Sequence, residues 1–266
     1  AGGVAHDLNN ILGPLVALPE LILMDLDKDH VARDDIMMMG TASRRAAVVI
    51  QDLLSLARRG SYKLEAVDLN AIVRECIATP AVQLRLDNLG AGSCQLLLDE
   101  TLHSAAGSEP HLTQLVLNLT INAIEAMMQH NSQGTLILST ENIVLNESLA
   151  AYETIPPGAY TMFSAKDQGP GLTEQELKHL FEPFFTTKEM GASGSGLGLS
   201  VVYGVVHDHE GFLDVKSEPG RGAEFRVYLK RSTNAISKSD ESLDLEFRLN
   251  ARILVVDDQA SQRTLS

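Results

Sequence analysis

Apolar residues recur in two rhythms along this chain. Over residues 4–22 they fall at Val4, Leu8, Ile11, Leu15, Leu18 and Ile22, spaced 4-3-4-3-4, which is the seam of a helix that packs on other helices. Pro14 and Pro19 interrupt that seam and predict a kink or local loosening. The polar run DLDKDHVARD at 25–34 reads as a helix end and a turn. A second seam follows at Met39, Ala42, Ala46, Val49, Leu53 and Leu56, and it stops at Arg58, Arg59 and Gly60, basic residues and then a glycine C-cap signal. Two antiparallel helices cover little surface by themselves. Residues 1–60 are therefore expected to pair with a second copy as a four-helix bundle.

From residue 61 the rhythm changes. Residues 67–76 read as a helix opened by Asp68, 95–99 as a strand, and 110–129 as a long helix opened by Ser108, Glu109 and Pro110. Residues 135–145 and 159–167 read as strands, 174–181 and 198–211 as helices, and 212–219 and 223–231 as alternating antiparallel strands. This order predicts an α+β sandwich over 61–232, a mixed sheet covered on one face by helices. A polar, Ser-rich linker spans 233–250. ILVV then opens a new unit at 251–266, ending in Asp257 and Asp258, with too few residues to close a core. The chain reads as cut at both ends.

Composition narrows the function. A net charge of −14 over 266 residues, with 5% aromatics and no Trp, argues against a general nucleic-acid surface. An anion would be held only at a local site of backbone N–H groups, a metal or a few placed cations. Cys76 and Cys94 make neither a disulfide framework nor a zinc quartet and read as reduced thiols. No run approaches the ~20 apolar residues that span a bilayer, and no signal peptide is visible. The expectation is a cytoplasmic fragment without membrane contact, which leaves room for a membrane anchor upstream in the parent.

The candidate chemistry is concentrated in a few stretches. His6 lies opposite the first seam, beside Asp7 and one turn before Asn10, so it is arranged to be reached. Asn118 and Asn122 share one face of the long helix, with Glu125 a turn on; stacked carboxamides offer oxygen ligands to Mg²⁺, though they also suit a plain solvent face. DQGPG at 167–171 follows a strand, which lets backbone approach a flat ligand while Asp167 accepts from an exocyclic amine. GASGSGLGLS at 191–200 runs glycines into a helix, an anion cradle. FEPFFTTK at 181–188 reads as a hinged lid that carries the cation Lys188.

In this order the stretches strongly resemble the sensor histidine kinases of two-component signalling. AHDLNN looks like the H-box, NLTINAIEA the N-box, DQGPG and GSGLGLS the two glycine boxes, FEPFFTTK the F-box, and PGRGAEF a late glycine turn of that ATPase fold. ILVVDDQ looks like the first strand of a receiver domain, which implies a hybrid kinase. The resemblance implies a dimerisation and phosphotransfer hairpin (1–60) followed by an ATP-binding sandwich of the kinase, gyrase and chaperone superfamily (61–232). It implies His6 as nucleophile on the γ-phosphorus of ATP, Asp7 as its hydrogen-bond partner, and Asn122 with Asn118 as holders of Mg²⁺. Asp167 becomes the adenine reader. Gly169, Gly171, Gly194, Gly196 and Gly198 allow backbone to pack around the nucleotide. The implied partners are a second copy and a response-regulator receiver domain, with Asn10 suited to orient water in a phosphatase reaction. The pattern departs at Ile11, where the family often has proline, and at Glu125-Ala126-Met127, which replaces a basic-aromatic pair and leaves Lys188 as the main phosphate cation. A nucleotide-binding but catalytically degenerate dimeric module, or another ATPase of the superfamily, are the alternatives.

Overall fold

The computed structural model describes residues 2–57, 64–90, 92–129, 134–186 and 196–233. The side chains of residues 2–7, Asn9, Arg45 and 51–57 are not included. The linker at 233–250, beyond its first residue, and the receiver-like start at 251–266 lie outside the described residues.

Two long helices come first, α1 (Gly2–Asp25) and α2 (Arg33–Ala57). Helix α1 runs unbroken through Pro14 and Pro19. Pro19 is buried, and it sits where Gly40 of α2 leaves room: a Cβ on Gly40 would stand 3.1 Å from the Pro19 Cβ. Arg33 ties the turn by donating to the carbonyls of Leu23 and Leu26 at 3.0 and 3.2 Å. The contact between the two helices runs through Leu12, Pro19 and Gly40, all buried. Among the described residues most of the two heptad seams stay outside it. Ile11, Leu15, Leu18 and Ile22 remain 62, 49, 45 and 44% exposed, and Met39 62%. On a helical wheel that stripe adjoins the Leu12–Pro19 line, so α1 has an apolar arc wide enough for two neighbours. Helix α2 covers half of it.

The rest of the chain is an α/β body. A short ribbon pairs β1 (Glu65–Val67) with β3 (Ala105–Gly107). Helix α3 (Leu69–Ala78) is capped by Asp68, whose carboxylate accepts from the Ala71 N–H, and α4 (Pro80–Leu89) follows at once with proline in its first turn. The main sheet has five strands in the order β2-β4-β7-β9-β8: β2 (Cys94–Leu98), β4 (Leu136–Leu145), β7 (Gly158–Lys166), β8 (Phe212–Ser217) and β9 (Ala223–Lys230). β2 runs parallel to β4 and every other pairing is antiparallel. Helices α3, α5 (Glu109–Gln129) and α7 (Gly198–Asp208) contribute to the core on one face. Leu112, Leu115, Leu119 and Ile124 of α5 meet Leu138, Phe163 and Val227 of the sheet there, each at most 1% exposed. Short helix α6 (Glu174–His179) is closed by a capping box between Thr173 and Glu176.

The mixed sheet with helices on one face matches the expected sandwich. The opposite face is not bare, however. A small hairpin of β5 (Leu149–Ala150) and β6 (Thr154–Ile155) helps build a second apolar cluster of Ile155, Tyr160, Met162 and Tyr228. Among the described residues no helix is long and apolar enough to cross a membrane.

Candidate nucleotide site

Helix α5 supplies the floor of the site. Asn118, Asn122 and Ala126 lie four residues apart on one row of its surface. The row ends at two glycine turns. At one end the Asn118 side-chain amide donates to the Gly198 carbonyl at 3.3 Å. A Cβ placed on Gly198 would sit 3.6 Å from Asn122 Nδ2 and 3.9 Å from its Oδ1. At the other end a Cβ on Gly169 would press to 3.1 Å from the Ala126 Cβ and 2.9 Å from Asp167 Oδ1. The two amides, the first glycine turn and the start of α7 thus converge on one side of α5. Both Asn side chains are half-buried.

Asp167 stands just past the end of β7 and is 3% exposed. Its Oδ1 accepts from the Gly169 N–H at 2.8 Å and the Ala223 N–H at 3.2 Å. Burial pushes its pKa up from the ordinary aspartate value, opposed by those two hydrogen bonds. The other oxygen makes no hydrogen bond to the described residues and remains an acceptor for a ligand. Sequence reasoning missed what holds this corner. Asp167 N–H donates to the Ala223 carbonyl at 2.8 Å, and Gly222, at φ +81°, passes so close that a Cβ would be 2.1 Å from the Asp167 carbonyl oxygen. Ser217 Oγ donates to the Gly222 carbonyl and accepts from the Leu172 N–H, both at 2.8 Å. Gly171 belongs to this same clamp, since a Cβ there would collide with Glu218 backbone. Its visible role is to seat the first glycine turn on the 218–222 turn.

Helix α7 begins at Gly198 without a side-chain cap. Its first-turn N–H groups and its dipole therefore favour an anion. Just before it, Gly196 at φ +68° accepts at its carbonyl from the Phe184 N–H at 3.0 Å. A Cβ on Gly196 would lie 2.7 Å from Phe184 backbone, and Phe184 itself takes φ +66°. Phe184 and Gly196 are thereby joined across residues 187–195 of the sequence. Lys188 and Gly194 fall in that stretch, outside the described residues.

The remaining expected residues are on α1. His6 and Asp7 lie within that helix, but their side chains are outside the described set. Asn10 is half-buried and partnered, and Glu125 of α5 is also partnered. Among the described residues no group of three His, Cys, Asp or Glu side chains could hold a metal alone. The Asn118 and Asn122 side-chain oxygens are the donors on offer, a set that suits a hard cation sharing its shell with ligand oxygens and water.

Residues 107–233 match the family described as histidine kinase-, DNA gyrase B-, and HSP90-like ATPase. The sensor kinase CckA of Brucella abortus is 31% identical over 99% of this chain and 28% of its own length. The sensor histidine kinase ZraS of Escherichia coli K12 is 32% identical over 86% of this chain and 44% of its own. The chain thus spans under half the length of these relatives. In fold, full-length ShkA in complex with AMPPNP superposes with a TM-score of 0.67 at 21% identity, covering 88% of this chain and 46% of that one. Residues 107–233 thus match this ATPase family, and the likeness to sensor kinases supports a histidine kinase catalytic domain there.

Proposed function

We propose that the chain is the phosphoacceptor hairpin and ATP-binding domain of a hybrid protein-histidine kinase. The observation that carries this is the convergence on α5 of three elements: the Asn118–Asn122 row, the uncapped start of α7, and Asp167 with one oxygen unengaged. Adenine lies at Asp167, its amino group donating to the second carboxylate oxygen. The triphosphate lies along the amide row toward the α7 N-terminus, with Lys188, Gly194 and Gly196 assigned to it from the sequence motif. Asn122, with Asn118 beside it, would hold Mg²⁺, which when bound neutralises phosphate charge.

The His6 imidazole attacks the γ-phosphorus in line. A nitrogen–phosphorus bond forms, the bond from the γ-phosphorus to the β–γ bridging oxygen breaks, and ADP leaves. Asp7 holds the other ring nitrogen and helps take up its proton. The phosphoryl group then passes to an aspartate of a receiver domain, in the same parent chain or a separate regulator. Asn10 is suited to orient a water that hydrolyses the receiver's phosphoaspartate, releasing inorganic phosphate and the free carboxylate. We assign 1–60 to the hairpin, 61–232 to the ATPase domain, 233–250 to a linker and 251–266 to the start of a receiver, in a cytoplasmic portion of the parent. The exposed stripe Ile11, Leu15, Leu18 and Ile22 supports dimerisation; the match of residues 107–233 to the ATPase family supports nucleotide use.

The test is incubation with γ-labelled ATP and Mg²⁺. Label that is stable to alkali and labile to acid should appear on the wild type and vanish in His6→Gln and Asn122→Ala. Undiminished labelling of His6→Gln would refute the acceptor. Tight nucleotide binding with no label on the wild type would favour a degenerate regulatory module instead.

A further inference from the structure

His209 is 1% exposed and has no part in the mechanism above. It caps the C-terminal end of α7. Its Nε2 accepts from the backbone N–H of Ser108 at 2.9 Å, and its Nδ1 lies 2.7 Å from the Val205 carbonyl. An N–H can only donate, so Nε2 carries no proton and the neutral ring places its proton on Nδ1, where it donates to Val205. Both nitrogens are thus satisfied in one tautomer. Ser108 immediately precedes α5, and its hydroxyl bonds His111 Nδ1 at 2.7 Å. The ring is wedged tightly, since a Cβ on Gly107 would approach its Cδ2 to 3.1 Å.

Helices α5 and α7 pack antiparallel, and this bond ties them at the far end from the site. At the near end Asn118 donates to the Gly198 carbonyl. Ten residues separate Ser108 from Asn118 and eleven separate Gly198 from His209. At about 1.5 Å rise per residue the two lengths are ~15 and ~16.5 Å. Two such ties at opposite ends of a helix pair forbid one helix from sliding on the other. A slide is the motion that would change the distance between the Asn row and the α7 N-terminus.

We propose that His209 is a positioning residue for the nucleotide site: through Ser108 it fixes the lengthwise register of α7 on α5, and so the gap between the amide row and the α7 phosphate-facing end. The proposal rests on the nucleotide reading above. A merely structural histidine would cost stability when replaced, with affinity following stability. A register clasp predicts that geometry decides.

Gln and Asn separate the two cases. In His209→Gln the side-chain oxygen reaches the former Nε2 position and can still accept from Ser108, while the tie to Val205 is lost. In His209→Asn the amide mimics the Nδ1 side and falls one bond short of Ser108. The experiment measures Mg²⁺·ATP affinity of the full 266-residue chain by calorimetry, well below each variant's melting temperature, with hydrogen exchange at the Ser108 amide. His209→Gln should bind within about twofold of wild type. His209→Asn should bind about tenfold more weakly, as expected for a site displaced by a fraction of an ångström, and its Ser108 amide should exchange faster. Should either variant fail to fold, the wild type alone decides: Mg²⁺·ATP should slow exchange at Ser108, because coupling between sites is reciprocal. Equal affinity in the two variants, or a Ser108 amide indifferent to ATP in a wild type that binds it, would overturn the clasp. A wild type that does not bind Mg²⁺·ATP at millimolar concentration removes the nucleotide reading, and this proposal with it.

Discussion

The hairpin, residues 1–60, is richer in apolar residues than the α/β body, residues 61–232, yet its described residues bury fewer of them. In the body, Phe163, Leu115, Leu138 and Val227 are at most 1% exposed and form one continuous core. In the hairpin only Leu12 is a buried large apolar side chain among the described residues, while a full stripe of α1 stays open. A four-helix bundle is two such helix pairs, so on the proposed dimer the open stripe is what a second copy would cover. The body closes its core without one. On that proposal the hairpin's order depends on concentration, which suits a part that would bend to deliver His6 and withdraw again.

The sharpest way to break this comparison is to empty one position in each region. Phe163→Ala removes a ring from the closed core and should cost about 3–5 kcal/mol in urea denaturation. Leu15→Ala, at concentrations where the chain is monomeric, should cost under about 1 kcal/mol, because Leu15 is already 49% exposed. Equal losses would mean that the hairpin has a core of its own.

Next in size is the dimer. A buried leucine contributes about 1.5 kcal/mol or more, and a two-fold interface counts it twice. Leu15→Asp should therefore raise the dimer dissociation constant by roughly a hundredfold, read by sedimentation, and leave nucleotide affinity of the body unchanged. A wild type that stays monomeric at high micromolar concentration would count against the open stripe as an interface.

A subtler test stays inside the body. In Asp167→Asn the retained oxygen can still accept from Gly169 and Ala223, so the fold keeps its bonds and loses a buried charge. Near neutral pH the melting temperature should hold or rise. ATP binding should weaken about tenfold, because a donor now faces the adenine amine. The pH dependence has a definite sign. Burial raises the Asp167 pKa, so in the wild type the carboxylate gains its proton at a pH above the ordinary aspartate range as pH falls. Affinity should decline through that range in the wild type and stay flat in Asp167→Asn.

Much of this was readable before the structure. The long helix with Asn118 and Asn122, the strands ending at Asp167 and Arg231, and the glycine turns all announce themselves by local period or local turn chemistry. What was not readable depends on distant partners. The three-residue strands β1 and β3 exist only because they pair with each other across about forty residues. Helix α4 has a weak apolar pattern and follows α3 with no intervening loop. Pro19 packs closely on Gly40 in another helix. In the site, Ala126 matters because it is small opposite Gly169, and Ser217 and Gly222 matter because they brace Asp167; no sequence spacing encodes those meetings. His209 looks like an ordinary helix-end histidine until Ser108 is seen beside it.

The smallest effect probes how complete the body's core is. Among the described residues one buried side-chain polar atom has no hydrogen-bond partner, Thr120 Oγ1, in a residue 0% exposed on α5. A buried hydroxyl that has lost water and gained nothing is destabilising, by about 1 kcal/mol or more. Valine has the same branched shape at Cβ, so Thr120→Val removes that penalty without opening a cavity. It should stabilise the chain by about 1 kcal/mol, a rise of roughly 2–4 °C for a domain of this size. The matching change in the hairpin is Thr41→Val. Thr41 is exposed and its hydroxyl donates to the Met37 carbonyl at 2.9 Å, so valine there trades a weak bond for an apolar group in water and should be neutral or slightly destabilising. The two substitutions are chemically identical, so a difference in sign between them isolates burial as the cause. If Thr120→Val instead lowers the melting temperature, its hydroxyl has a partner in solution, such as a buried water, and the core is wetter than its packing indicates.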